Sequence, residues 1–137
     1  MKFKFIDTDS LEYPAELLLR WEALGKPEGM PPESQISNLE KDSLHLIAVE
    51  AKKVVGCVLF HKESETSGVG SQLAISEEYR GEGFGRKLIH ALEEKLIKDG
   101  VKELIFYVPK DLTDFYKNLG YRQKNGAMFK KLSIEEV

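Results

Sequence analysis

The sequence predicts an α/β domain, and three observations carry that reading. Strand-like runs recur through the chain, at 3–6, 44–49, 53–60, 71–75, 101–108 and 127–132. Two longer segments carry an apolar stripe at helical spacing. The second of these stands behind a strand and a glycine-rich turn and ahead of another strand. That order makes a right-handed crossover between two parallel strands.

The elements follow in order. Lys2, Lys4 and Ile6 alternate with Phe3, Phe5 and Asp7, so the chain opens on a short strand. Asp9 or Ser10 is placed to cap a helix running to about Leu24, with Pro14 in its first turn and Leu17, Leu18, Trp21 and Leu24 on one stripe. The stretch Gly25-Lys26-Pro27-Glu28-Gly29-Met30-Pro31-Pro32 breaks the pattern and reads as an ordered loop or a short turn into a second helix. Two strands, 44–49 and 53–60, are joined by polar Glu50-Ala51-Lys52; Glu63 to Gly70 reads as a turn. After the strand 71–75 comes Arg80-Gly81-Glu82-Gly83-Phe84-Gly85-Arg86 and a helix with Phe84, Leu88, Ala91, Leu92, Leu96 and Ile97 on its apolar face, stopped by Gly100. A strand to Val108 ends at Pro109. A short helix from Asp111 or Thr113 reaches Leu119, and Asn125-Gly126 marks a two-residue hairpin. The tail from Ser133 is expected to fray.

Length and composition set the limits. The 137 residues predict a single domain, residues 1–137. A domain of this size buries roughly 68% of its unfolded surface, enough for a core without staples. Hydrophobic residues are 42% and charged residues 31%, an ordinary globular balance. With 20 basic and 23 acidic side chains, a formal charge of −3 offers no basic field for nucleic acid. No apolar run is long enough to span a membrane, and the start lacks a signal-peptide core. One cysteine, Cys57 in an apolar run, reads as a small buried thiol and excludes an internal disulfide. The expected compartment is reducing and cytoplasmic.

The turn from Arg80 to Arg86 carries the chemistry. Its glycines let the backbone bend tightly and approach a ligand. The helix behind leaves its first amides unpaired and places a positive dipole end there. Together they make a phosphate cradle, and Arg80 and Arg86 add charge beside it. The dinucleotide pattern fails, because Arg86 stands where its third glycine belongs; the triphosphate loop lacks its Gly-Lys-Ser/Thr. Taken alone, the glycines also suit a purely structural turn.

Their surroundings favour the ligand. Leu73-Ala74-Ile75, then Arg80, Gly83 and Gly85 ahead of an amphipathic helix, resembles the acyl-CoA motif of the GCN5-related N-acetyltransferases, the GNAT superfamily. Phe115-Tyr116-Lys117-Asn118-Leu119-Gly120-Tyr121 resembles that family's second motif. The element order from Leu44 to Leu132 agrees; the first 43 residues agree loosely.

The resemblance implies a mixed, mostly antiparallel sheet with helices on both faces and a splayed central strand pair. It implies acetyl-CoA as cosubstrate, with no metal. The pantetheine arm would lie along Leu73, Ala74 and Ile75. The pyrophosphate would sit on the turn formed by Arg80, Gly81, Glu82, Gly83, Phe84, Gly85 and Arg86. A bulge in the fourth strand would free a backbone N–H to polarise the thioester carbonyl. Tyr116 matches the family's general acid, while Phe115 packs the helix to the sheet. The implied reaction is acetyl transfer to a primary amine, on a small molecule or a peptide, by direct attack in a ternary complex. A homodimer stays open, as common among such folds.

The general base has no clear candidate. The family's strand carboxylate is replaced in the run Val69-Gly70-Ser71-Gln72, leaving His61, Glu63, Glu65 or a water chain. His45 and His90 have no metal-ligand spacing, and His90 falls on the exposed side of its helix. Arg20, Trp21 and Glu22, with the Gly29–Pro32 stretch, correspond to the acceptor wall, though Trp21 equally suits the core. Pro109 and Leu112 depart from the second motif's usual Asn and Ala. Two rival readings remain: a non-catalytic acyl-CoA-binding regulatory module, and a structural domain with an idle glycine turn.

Overall fold

Among the described residues, seven strands form one sheet in the order β1-β2-β3-β4-β5-β7-β6. They are β1 (Lys2–Ile6), β2 (Leu44–Glu50), β3 (Lys53–Lys62), β4 (Ser67–Ile75), β5 (Glu103–Phe106), β6 (Arg122–Lys124) and β7 (Ala127–Lys131). The computed structural model describes residues 1–133, so the tail from Ile134 lies outside the described residues. All neighbouring strands run antiparallel except β4 and β5. That parallel pair is the expected crossover, and helix α2 (Phe84–Lys98) makes it.

Helices cover both faces. On one, Leu88, Ile89, Leu92 and Leu96 of α2 pack with Leu46, Val58, Phe60, Leu104 and Phe106 of the sheet. Tyr116 of α3 (Thr113–Asn118) joins the same core. On the other, Leu19 of α1 (Tyr13–Arg20) packs on Ile47, Cys57 and Ala74. The two-residue period of the strands sorts these side chains between the faces.

Several boundaries differ from the sequence-based expectation, each for a physical reason. Neither Asp9 nor Ser10 caps α1; both belong to a preceding turn closed by Asp7, whose carboxylate accepts from the Asp9 amide at 2.8 Å. Helix α1 also stops at Arg20, and Trp21–Gly25 continues as a π-type turn. No regular second helix follows, only short 3₁₀ turns within 26–42. The β3–β4 turn is shorter than Glu63–Gly70, because Ser67–Gly70 is strand. Gly68 and Gly70 looked like turn glycines, yet they sit in the sheet because a Cβ at either would collide with the rings of Phe60 or Phe106. Strand β5 covers only the middle of 101–108. The hairpins obey their turn chemistry: Ala51 and Lys52, and then Asn125 and Gly126, all have positive φ.

Candidate functional site

Strand β4 changes partners along its length. Ser67–Gly70 pairs with Glu103–Phe106 of β5. Past Gly70 only β3 remains beside it, because β5 ends at Phe106 and the chain turns off through Pro109. At that point β4 bulges: Cys57 pairs with Ala74 and Leu59 with Ser71, so Val58 alone faces both Gln72 and Leu73. Gln72 adopts a left-handed φ of 56°, a strained value for a side-chain-bearing residue. The fully buried Cys57 thiol donates to the Gln72 carbonyl at 3.3 Å and pins the bulge from beneath. Burial pushes that thiol well above its ordinary pKa, so it is a packed donor and not a nucleophile.

The opening between the strands continues as a cleft of about 710 Å³. Leu73, Ala74 and Ile75 form one side, with Leu112 and Phe115 among the residues on the other. The cleft ends at the α2 N-terminus, where Arg80, Gly81, Gly83, Phe84, Gly85 and Arg86 line it. Gly81 and Gly83 have φ of 77° and 86°, and nothing lies within 4 Å of where their Cβ atoms would stand. The first helical bond beyond the turn is Lys87 N–H to the Gly83 carbonyl at 3.2 Å. Among the described residues, no amide from Gly81 to Arg86 donates to a protein acceptor. The cradle is therefore open, with its dipole end and Arg86 facing the cleft. The side chain of Arg80 turns inward in part, donating from Nε to the Ile75 carbonyl at 2.8 Å.

Every residue expected on the coenzyme lines this cleft except Glu82, which is exposed and outside it. Tyr116 does not line it either; its neighbour Phe115 does. The Tyr116 ring is buried against Phe106 and Tyr121, with centroids 4.8 and 5.6 Å away. Burial alone raises its phenol pKa well above 10.0, so the hydroxyl keeps its proton at neutral pH.

Two features escaped the sequence reading. Ala23 and Leu24 of the π-type turn form part of the cleft wall, and such turns often mark functional sites. Behind that turn lies a buried ionic quartet. Arg20 is fully buried and donates to Glu16 at 2.8 Å, to both Glu40 oxygens at 2.9 Å, and to the Gln35 carbonyl. His45 donates from Nε2 to the Glu40 carbonyl at 2.8 Å and faces Glu16 with Nδ1 at 2.9 Å. Glu16, Glu40 and His45 bring ligand-type atoms within 4.8 Å of one another, but the Arg20 guanidinium already engages both carboxylates. Arg20 is thus a core cation and not part of an acceptor wall. Half-buried Trp21 ties the following loop down, donating to the Met30 carbonyl at 2.7 Å.

Comparison with known proteins agrees with this geometry. Residues 41–123 match the sequence profile of the acetyltransferase (GNAT) domain. The chain is 27% identical over 104 residues to the uncharacterized N-acetyltransferase YjcF of Bacillus subtilis, covering 76% of this chain and 74% of that one. The fold superposes on Tetrahymena GCN5 with a TM-score of 0.82 at 14% identity, over 99% of each chain. It also superposes on an aminoglycoside 6′-N-acetyltransferase complexed with coenzyme A, with a TM-score of 0.79 at 16% identity over 100% of each chain. With the profile spanning more than half its length, the chain belongs to the GNAT acetyltransferase family.

Proposed function

We propose that the protein transfers an acetyl group from acetyl-CoA to a primary amine by direct attack within a ternary complex. One observation carries this: a row of unbonded amides at the start of α2 opens onto a cleft that runs to the bulge and gap beside β4. Pyrophosphate suits the amides, and an extended pantetheine arm suits the unpaired edge at Leu73–Ile75. The likeness to a coenzyme A-complexed acetyltransferase supports the same ligand.

The residues divide the chemistry. A backbone N–H freed by the bulge at Gln72 would polarise the thioester carbonyl, an oxyanion role. Attack forms the C–N bond and breaks the C–S bond, leaving a thiolate that needs a proton. Tyr116, which follows the cleft-lining Phe115 and carries its proton at neutral pH, is assigned that role. Release of free thiol from acetyl-CoA, followed across a panel of amines, tests the reaction; tight coenzyme binding with no turnover on any amine would favour a binding module. Tyr116→Phe keeps the ring packing and loses the proton. It should lower kcat by about 10²-fold and leave coenzyme A affinity unchanged by calorimetry. Equal turnover would remove Tyr116 from the mechanism.

A further inference from the structure

Among the described residues, α2 and α3 pack on one face of the sheet and α1 alone on the other, which leaves that second face without a further helix near the gap. Phe60 and Phe106 pack with α2, so by alternation their neighbours His61 and Ile105 face the opposite side. His61 pairs with Val69, Val69 with Ile105, and Ile105 with Phe129. These residues are half-buried and make a mainly apolar shelf, with the imidazole at one edge and the Lys124 ammonium over the Phe129 ring at the other, 5.6 Å from its centroid. The shelf adjoins Ser71 and Tyr107, both exposed, where β4 and β5 separate.

His61 lies inside β3 and not beyond it. Its Nδ1 is buried and has no hydrogen-bond partner among the described residues. Buried ring nitrogens are normally paired, so an unpaired one asks for an explanation. Strand spacing separates the base candidates. Val69, opposite His61, is three residues from Gln72, or about 10 Å along β4. Glu63 is level with Ser67 through its amide bond, which places it roughly 17 Å from Gln72, and Glu65 lies farther still. Of these three side chains, the imidazole stands nearest to an amine held at the gap.

We propose that His61 is the proton acceptor for the incoming amine, and that the shelf of Val69, Ile105 and Phe129 seats the acceptor's apolar part. This rests on the acetyl-transfer reading above. The ammonium N–H bond breaks, its proton joins the imidazole, and its electron pair stays on nitrogen. That pair attacks the thioester carbonyl; the second proton lost from nitrogen replaces the one that Tyr116 gives to the thiolate, and the imidazolium returns its proton to water after turnover. The groups around His61 do not compete for the role. Leu59 flanks it along β3, and Ser67, Val69 and Ser71 face it from β4. Glu103 and Tyr107 lie on β5, two strands away, while Asp42 lines the opposite face with Phe60 and Lys62.

The test uses the full chain with acetyl-CoA and tyramine, an arylalkyl amine suited to the shelf. His61→Gln and His61→Ala should each lower kcat by about 10²- to 10³-fold at neutral pH. Both should keep the wild-type coenzyme A affinity and lose the acidic limb of the kcat/KM profile. Added imidazole should restore part of the His61→Ala rate, which a merely structural role would not allow. Turnover within threefold of wild type, with the acidic limb retained, overturns the role of His61 and leaves acetyl transfer standing. A wild-type chain that binds coenzyme A yet acetylates neither tyramine nor any other amine overturns both.

Discussion

Gly83→Asp should abolish coenzyme A binding in a chain that still folds. Gly83 caps α2 with φ of 86°, and open space surrounds the position of its Cβ. A side chain there meets no clash, only a backbone cost of about 1–2 kcal/mol for the left-handed conformation. An aspartate at a helix cap accepts from the first amides and favours the positive dipole end, which offsets much of that cost. Those same amides are the ones proposed to hold pyrophosphate. The carboxylate therefore occupies the cradle and repels its ligand. Calorimetry should show affinity reduced more than 100-fold, with circular dichroism unchanged; Gly83→Ala, which adds strain without charge, should lose far less. Affinity within threefold of wild type for the aspartate variant would refute the cradle.

Arg20→Met should be the most damaging single change to stability. The guanidinium is fully buried and pairs with both Glu16 and Glu40. Removing one partner from a buried ionic network costs about 3–5 kcal/mol, because the remaining charges stay dehydrated and uncompensated. That is a large share of the roughly 5–15 kcal/mol that holds a typical domain. Urea titration should show the loss as a lower midpoint with an unchanged slope; a shift worth under ~1 kcal/mol would mean that water reaches the carboxylates.

The quartet also sets a pH window. Burial alone would lower the His45 pKa, but its contacts with Glu16 and the Glu40 carbonyl outweigh burial and raise it above 6.5. Its contribution to stability is then complete below 6.5 and is lost as pH rises through the folded value. Burial would raise the Glu40 pKa, yet hydrogen bonds from Arg20 and Tyr13 bring it below 4.5. Its contribution is complete above 4.5 and is lost as pH falls through the folded value. Both are whole between 4.5 and 6.5. His45→Gln should flatten the alkaline side of the urea-midpoint profile and leave the acidic side; an unaltered alkaline slope would exclude His45.

Features governed by local chemistry were legible in the sequence. The glycines at 81, 83 and 85 announced the cradle, Asn125-Gly126 its hairpin, and the α2 stripe its buried face. The family's two motifs placed the splayed strands and the helices on both faces. Features that depend on distant partners were not. Gly68 and Gly70 read as turn residues because the rings that need their missing side chains are eight and 36 residues away. Gln72 looks like any polar strand residue, and only pairing with β3 reveals its bulge. Glu16, Arg20, Glu40 and His45 each resemble surface charges until the fold gathers them. The orientation of His61 followed from strand register, which single residues do not disclose.

The four-pair junction between β4 and β5 has a consequence for cooperativity. Apart from that short ladder, the β5–β7–β6 portion is held to the rest by apolar packing under α2 and α3 and by Tyr121 and Lys130, which both bond to Glu93 of α2. Short ladders can open locally before a whole domain melts, and amide exchange along this seam reads that sub-global opening. A ligand lodged across the seam links the two portions through its own contacts. Occupancy then acts as a mechanical stitch, and the rigidity of the distal hairpin becomes a readout of the cosubstrate.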